Sequence, residues 1–194
     1  MLELASTEFH LSVPSFPEQE LRLLSSSLFD TWQSYVDSSV SVPDYSLYLQ
    51  VEEGSVKGKA KIAAGLTMLY LGIGNYGDFV SGLTTISGQV SSASEYVTEQ
   101  ATRAFSCPPS RATSKRQGSS LAALQRLFVR VQRGDLTPDE AMIRATKILG
   151  EDANVEPGFM RALANAFQNC PLHHQQQPFP FSEQDEAVEA GTQL

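Results

Sequence analysis

Residues 62–94, IAAGLTMLYLGIGNYGDFVSGLTTISGQVSSAS, are the most unusual stretch of this 194-residue chain. These 33 residues include six glycines and a single charged side chain, Asp78. Small residues that recur in an apolar run let backbones approach closely, as they do where helices pack tightly. We therefore expect a Gly-rich apolar helical segment over residues 59–105, and we expect the fold and the function to depend on its contacts.

This segment predicts an interaction surface. The residues that we assign to it are Gly65, Gly72, Gly74, Asn75, Tyr76, Gly77, Phe79 and Gly82. The sequence leaves three alternatives open for what they contact: the rest of the same chain, a protein partner or second copy in an oligomer, and a membrane. A spanning helix needs about 20 predominantly apolar residues, whereas the apolar run from Ile62 meets Asn75 and then Asp78.

Residues 72–77, GIGNYG, match the G-x-G-x-x-G spacing of dinucleotide-binding loops. In that motif the glycines let backbone amides approach a pyrophosphate at the start of a helix. An apolar run precedes the motif, as required, but Glu95 lies in a helix-like stretch where the motif needs the end of a second strand. The later β-α-β units of such a fold are also missing. A nucleotide-binding protein that uses Gly72–Gly77 is therefore the alternative function.

The N-terminal third predicts a β-α-β unit over residues 1–58. Apolar and polar residues alternate over residues 2–13, as one strand or two short pieces, and over residues 45–52. Between them, residues 21–36 carry apolar side chains at helical spacing. If the two strands pair in parallel, the crossover is right-handed. A turn between Gly54 and Gly58 follows, and three lysines then mark a basic flank or an exposed strand face: Lys57, Lys59 and Lys61.

The C-terminal half predicts a loop and then three short helices. Residues 106–118 are poor in apolar side chains and indicate a linker. Residues 119–170 carry three helical periodicities, and the second begins with a capping box, Thr137-Pro138-Asp139-Glu140. Residues 171–194 are rich in glutamine and proline, which indicates a disordered tail. The chain as a whole predicts an α+β fold.

Charge is distributed unevenly along the chain. The formal net charge is −8, and residues 101–150 carry +6 of their own. An acidic chain does not favour nucleic acid as a partner. Arg126, Arg130 and Arg133 share one face of a predicted helix and form a basic stripe. This stripe predicts either a contact with an acidic or phosphate-rich surface or a solvated helix face.

Residue types that carry catalysis are scarce in this sequence. It has three histidines, two cysteines and no G-x-S-x-G nucleophile elbow. Cys170, His173 and His174 lie beside a proline and a glutamine run, so they do not favour a metal centre. We expect no catalytic residue, no metal and no cofactor, and we lean against an enzyme. The two cysteines and the absence of a secretory pattern predict a cytoplasmic protein, at the inner membrane if residues 62–94 insert.

Two motifs around the apolar run resemble a group of small uncharacterised bacterial proteins. These motifs are VEEGS at residues 51–55 and GNYGDF at residues 74–79. The shared pattern is a Glu-Gly-Ser turn that leads into a Gly-rich apolar helix closed by Asn-Tyr-Gly-x-Phe. The resemblance implies a bacterial or mobile-element origin and no particular activity. We expect a non-enzymatic interaction protein or self-assembling subunit of a bacterial complex, whose partner is another protein or a second copy.

Overall fold

A four-stranded antiparallel sheet with the strand order β2-β3-β1-β4 organises the computed structural model, which describes residues 1–52 and 55–172. The strands are β1 (Leu2–Leu11), β2 (Ser46–Glu52), β3 (Val56–Ala64) and β4 (Ala112–Gln117). The helices are α1 (Glu18–Ser39), α2 (Leu66–Gly74), α3 (Phe79–Ala104), α4 (Ser120–Gln132), α5 (Pro138–Leu149) and α6 (Pro157–Gln168). Short 3-10 turns occupy Pro109–Arg111 and Gly150–Asn154. This architecture confirms the predicted α+β fold.

Strands β1 and β2 run parallel to each other but do not pair, because β3 lies between them and is antiparallel to both. Helix α1 crosses from β1 to β2, and the return through α2 and α3 places β4 beside β1 on its other side. This is the split β-α-β arrangement. Direct parallel pairing, the condition that the sequence left open for these two strands, does not occur, since sheet order depends on contacts distant in sequence.

Strand β3 begins before the predicted Gly-rich helical segment and extends into it. Residues 59–64 are strand, whereas a helical segment was expected from residue 59. Here the lysines alternate with buried small or apolar residues such as Gly58 and Ala60, so a period of two prevails and the lysines form an exposed strand face. Gly58 was expected to end a turn, but it lies inside β3. The ring of Phe9 packs directly on it and leaves no room for a side chain.

A bulge in β1 explains why its apolar alternation changes phase. The register with β3 shifts between Glu3 and Ala5, so that one extra residue is inserted. Leu2 faces the core before the bulge, and Phe9 and Leu11 face it afterwards. Residues 2–11 are accordingly one continuous strand rather than two short pieces.

Strand β4 lies within the predicted linker of residues 106–118, so that expectation is wrong for residues 112–117. Five of its six residues are exposed, and its sequence lacks the apolar alternation that would predict a strand. The strand forms because it pairs with Ser6–Leu11 of β1 along its whole length. Backbone hydrogen bonds to β1 therefore stabilise this strand, and the sequence pattern does not show them.

The Gly-rich run itself divides into the end of β3, the short helix α2 and the long helix α3. Gly77, with φ +72°, makes the bend between the two helices. Asp78 then caps α3, because its carboxylate accepts a hydrogen bond from the Ser81 backbone N–H at 2.8 Å. That bond lowers the pKa of the Asp78 carboxyl. Within the described residues, no helix has both the length and the apolar character that a membrane crossing requires.

The three C-terminal helices confirm their sequence signals. Gly134, with φ +75°, follows the end of α4. The capping box at the start of α5 is complete, with the Thr137 side chain and the Glu140 side chain each bonded to the other's backbone N–H. Helix α6 is fastened to α4 by the ring contact of Phe128 with Phe167, whose centroids are 4.4 Å apart. The predicted disordered tail lies outside the described residues, apart from its first two positions.

The buried hydroxyl of Thr7 allows a test of how the core under the sheet is packed. Its side chain is 2 % exposed, and its Oγ1 has no hydrogen-bond partner among the described residues. A buried hydroxyl without a partner costs about 1–3 kcal/mol. We expect Thr7→Val to raise the free energy of unfolding by about 1 kcal/mol, measured by urea denaturation. Ser94→Ala is the control, because the buried Ser94 hydroxyl is bonded to the Val90 carbonyl oxygen. Equal or lower stability in Thr7→Val would contradict this interpretation.

Candidate interaction surfaces

Two glycines of the Gly-rich segment make close contacts inside the chain. A Cβ atom on Gly72 would lie 2.5 Å from the Ser41 carbonyl oxygen, and one on Gly82 would lie 2.6 Å from the Ile73 carbonyl oxygen. Both distances are far below van der Waals separation. Gly72 thus lets α2 lie against the segment after α1, and Gly82 lets α3 fold back on α2.

Two aromatic residues predicted for the same surface also face inward. The Tyr76 hydroxyl donates to Ser41 Oγ at 2.7 Å, and Gln89 Nε2 donates to the Tyr76 hydroxyl oxygen at 2.9 Å. The Ser41 backbone N–H closes this network on Gln89 Oε1 at 3.0 Å. The Phe79 ring meets the Phe159 ring edge to face, with centroids 5.2 Å apart. Tyr76 thus joins the turn after α2 to α3 and to the segment after α1, and Phe79 joins α3 to α6.

The other four residues assigned to the segment lie where a partner could reach them. Gly74, Asn75 and Gly77 are exposed, and Gly65 is partly exposed at the start of α2. A Cβ atom on any of the three glycines would have no neighbour within 4 Å. That the segment binds another molecule stays a prediction. Four of its eight assigned residues, Gly72, Tyr76, Phe79 and Gly82, already make contacts within this chain.

The G-x-G-x-x-G spacing does not occur in the structural context of a dinucleotide site. The residues before it form helix α2, where the fingerprint needs a strand. Gly72 and Gly74 lie within that helix, and the start of α3 is capped by the Asp78 carboxylate. A negative charge at that helix start opposes a pyrophosphate there. The geometry offers this alternative no support.

The basic stripe lies on the solvent side of α4. Arg126 and Arg133 are exposed and Arg130 is partly exposed, while Leu124 and Phe128 are buried on the opposite face. Within residues 1–52 and 55–172, none of these three arginines has a carboxylate within 4 Å. The structure thus places the stripe as the sequence predicts, and its binding of a partner stays a prediction.

Groups for catalysis or metal binding do not converge in the described residues. His10 Nε2 lies 2.9 Å from Ser55 Oγ, and no carboxylate of the described residues is hydrogen-bonded to His10 to complete a triad. Burial raises the pKa of the Cys170 thiol, which keeps it protonated and a poor nucleophile at neutral pH. No group of three potential metal ligands occurs in the described part of the chain. His173 and His174 lie outside it.

Strand β2 forms an open edge that sequence analysis did not identify as a surface. It ends the sheet, and no other described segment pairs with its outer side. Its residues, SLYLQVE, include no lysine, arginine or proline, which are the usual protection of an edge. Alternate residues of this strand therefore present unpaired backbone N–H and C=O groups on its outer side. The alternation of residues 45–52 predicts a strand, but it cannot show which strand lies at the edge.

A groove runs beside this edge, between β2 and α1. Its volume is about 450 Å³, and Leu49 and Val51 contribute to it from the strand. Helix α1 contributes two small side chains, Ser25 and Ser26, and two larger ones, Leu21 and Arg22. The two serines leave space beside this edge of the sheet.

Comparisons with known proteins give no relative for this chain: no family model matches it, and neither the curated proteins nor the solved structures yielded a match. The resemblance to small bacterial proteins consequently stays an expectation.

Proposed function

We propose that this chain is a non-enzymatic subunit that assembles with a second copy of itself through strand β2. The open, unprotected edge of β2 carries this proposal. Pairing of the two edges would satisfy the free backbone groups and join two four-stranded sheets into one of eight strands. A two-fold axis is the usual symmetry of such a dimer.

The sequence of β2 is complementary to itself in an antiparallel register centred on Leu49. In this register Leu47 faces Val51 of the second copy, and Tyr48 faces Gln50 of the second copy. Apolar residues would then meet on the inner face and polar residues on the outer face. A register shifted by one residue would place apolar side chains opposite polar ones. Side-chain matching thus favours two identical strands.

The other sheet edge is a weaker candidate for pairing. Strand β4 carries Lys115 and Arg116, and charged side chains on an edge oppose the addition of another strand. Arg116 is also held over α3, where it pairs with Glu95 and donates to Ser91 Oγ. Strand β2 carries a single charged residue, Glu52 at its end, so the smaller charge on this edge favours β2.

Two substitutions on the outer face of β2 test the proposal. Tyr48 lies opposite Lys61 and Gln50 lies opposite Lys59 in β3, so Tyr48→Glu with Gln50→Glu is favourable within a chain. Across the proposed dimer the same glutamates face each other and repel. We expect sedimentation at micromolar concentration to give twice the mass of one chain for the wild type. The double variant should weaken dimerisation at least tenfold.

A matched control places two glutamates on the other edge strand. Thr113→Glu with Gln117→Glu alters exposed residues of β4 on the same side of the sheet, and this variant should remain a dimer. Circular dichroism confirms that each variant is folded. A wild type that stays monomeric at tens of micromolar would refute assembly through β2, as would a β2 double variant that dimerises like the wild type.

A further inference from the structure

We infer that the outer face of the sheet binds a small molecule through a phosphate group held between Lys57 and Lys115. This face is the one that the described helices leave uncovered. A cavity of about 400 Å³ lies on it, and all four strands contribute to its lining. That volume suits a small ligand. The inference goes beyond self-assembly and does not depend on it.

The strand register places the two lysines on either side of β1. Lys57 of β3 lies opposite His10, and Lys115 of β4 lies opposite Glu8, two residues along the same face. Strands on the two sides of β1 are about 10 Å apart. Because lysine side chains are long and flexible, both ammonium groups can reach one group that sits above β1.

Charge pairing within the described part of the chain leaves these two lysines available. Glu8 is engaged by Lys59, whose Nζ lies 3.3 Å from Glu8 Oε1. Within the described residues, neither Lys57 nor Lys115 has a carboxylate within 4 Å. The Thr113 hydroxyl lines the same cavity and can donate to an oxyanion. The ammonium groups of Lys57 and Lys115, which are unpaired among the described residues, and the Thr113 hydroxyl form a donor set for phosphate.

The carboxylates in the lining restrict the ligand to a small one. Glu8 and Glu52 both face the cavity, so its three lysines leave an excess of one positive charge. A polyphosphate backbone such as nucleic acid would meet both carboxylates and be repelled. The lining also offers no exposed Phe, Tyr or Trp on which single-stranded bases could stack, since Phe9 is 3 % exposed. One phosphate group on a small molecule fits this balance.

Titration of the full chain with inorganic phosphate tests the site. We expect backbone amide signals of residues 8–10, 57–59 and 113–115 to shift in two-dimensional NMR with a millimolar dissociation constant. Lys57→Gln with Lys115→Gln should weaken this binding about tenfold or more. Lys61→Gln is the matched control, since Lys61 lies on the same face but is paired with Glu3 and does not line the cavity. It should bind phosphate like the wild type.

A second arm distinguishes a soluble ligand from a lipid headgroup. Vesicles of phosphatidylcholine that contain phosphatidic acid should retain the protein if the phosphate belongs to a lipid, and the double lysine variant should not be retained. Phosphate binding without retention identifies a soluble ligand, and either outcome supports the site. The absence of shifts at these strands in both arms would overturn it. Equal binding by the wild type and the double lysine variant would do the same.

Discussion

Gly82→Ala is expected to lower the free energy of unfolding by about 3 kcal/mol, as an overpacked contact does. The new Cβ atom would lie 2.6 Å from the Ile73 carbonyl oxygen and 2.9 Å from Ile73 Cγ2. The carbonyl belongs to the backbone of α2, so relief requires the two helices to separate. Urea denaturation followed by circular dichroism measures the effect.

Gly88→Ala is the matched control on the same helix and should change stability in the opposite direction. Gly88 is exposed, and a Cβ atom there would have no neighbour within 4 Å. Alanine in a helix interior is more stable than glycine by roughly 0.5–1 kcal/mol. If both variants gain stability, the close contact between α2 and α3 is not present.

Trp32→Ala is expected to cost about 3–5 kcal/mol, which is a large part of the stability of a typical domain. The Trp32 side chain is 1 % exposed, and its Nε1–H donates to the Ala93 carbonyl oxygen of α3 at 3.0 Å. The substitution therefore removes both a large apolar volume and the hydrogen bond that joins α1 to α3. Thermal unfolding should show a melting temperature about 10 °C lower.

Tyr35→Ala provides the comparison for this result. Tyr35 also joins α1 to α3, because its ring stacks on Tyr96 with centroids 4.0 Å apart, but both rings are only partly buried. We expect a loss of about 1 kcal/mol there. Similar losses of unfolding free energy in the two variants would contradict the conclusion that Trp32 is the main contact between α1 and α3.

Elements with strong local signals were predictable from the sequence. The apolar periodicity of α1, the alternation of β2 and the capping box of α5 all correspond to elements of the structure. Strand β4 was not predictable, because its exposed residues carry no apolar pattern and its partner β1 is distant in sequence. Sheet order is equally non-local, so the sequence could not show that β2 lies at an edge.

The glycine pattern of the Gly-rich segment predicted close contacts but not which partner makes them. Close backbone contact was predicted, and Gly72 and Gly82 make such contacts. Glycine spacing cannot distinguish contacts within a chain from contacts between chains, since both need only the absence of a side chain. The buried glycines therefore explain contacts within the fold. The proposed assembly depends instead on β2, because the backbone groups on its outer side are unpaired.

Hydrogen exchange of the β2 amides measures the central claim most directly. In a single chain, the amides of residues 46–52 that do not bond to β3 face solvent, whereas pairing of two β2 strands would protect them. We predict that exchange of this segment slows as protein concentration rises, and that the Tyr48→Glu, Gln50→Glu variant keeps fast exchange at the same concentrations. Exchange of residues 46–52 that is fast and independent of concentration in the wild type would contradict assembly through β2.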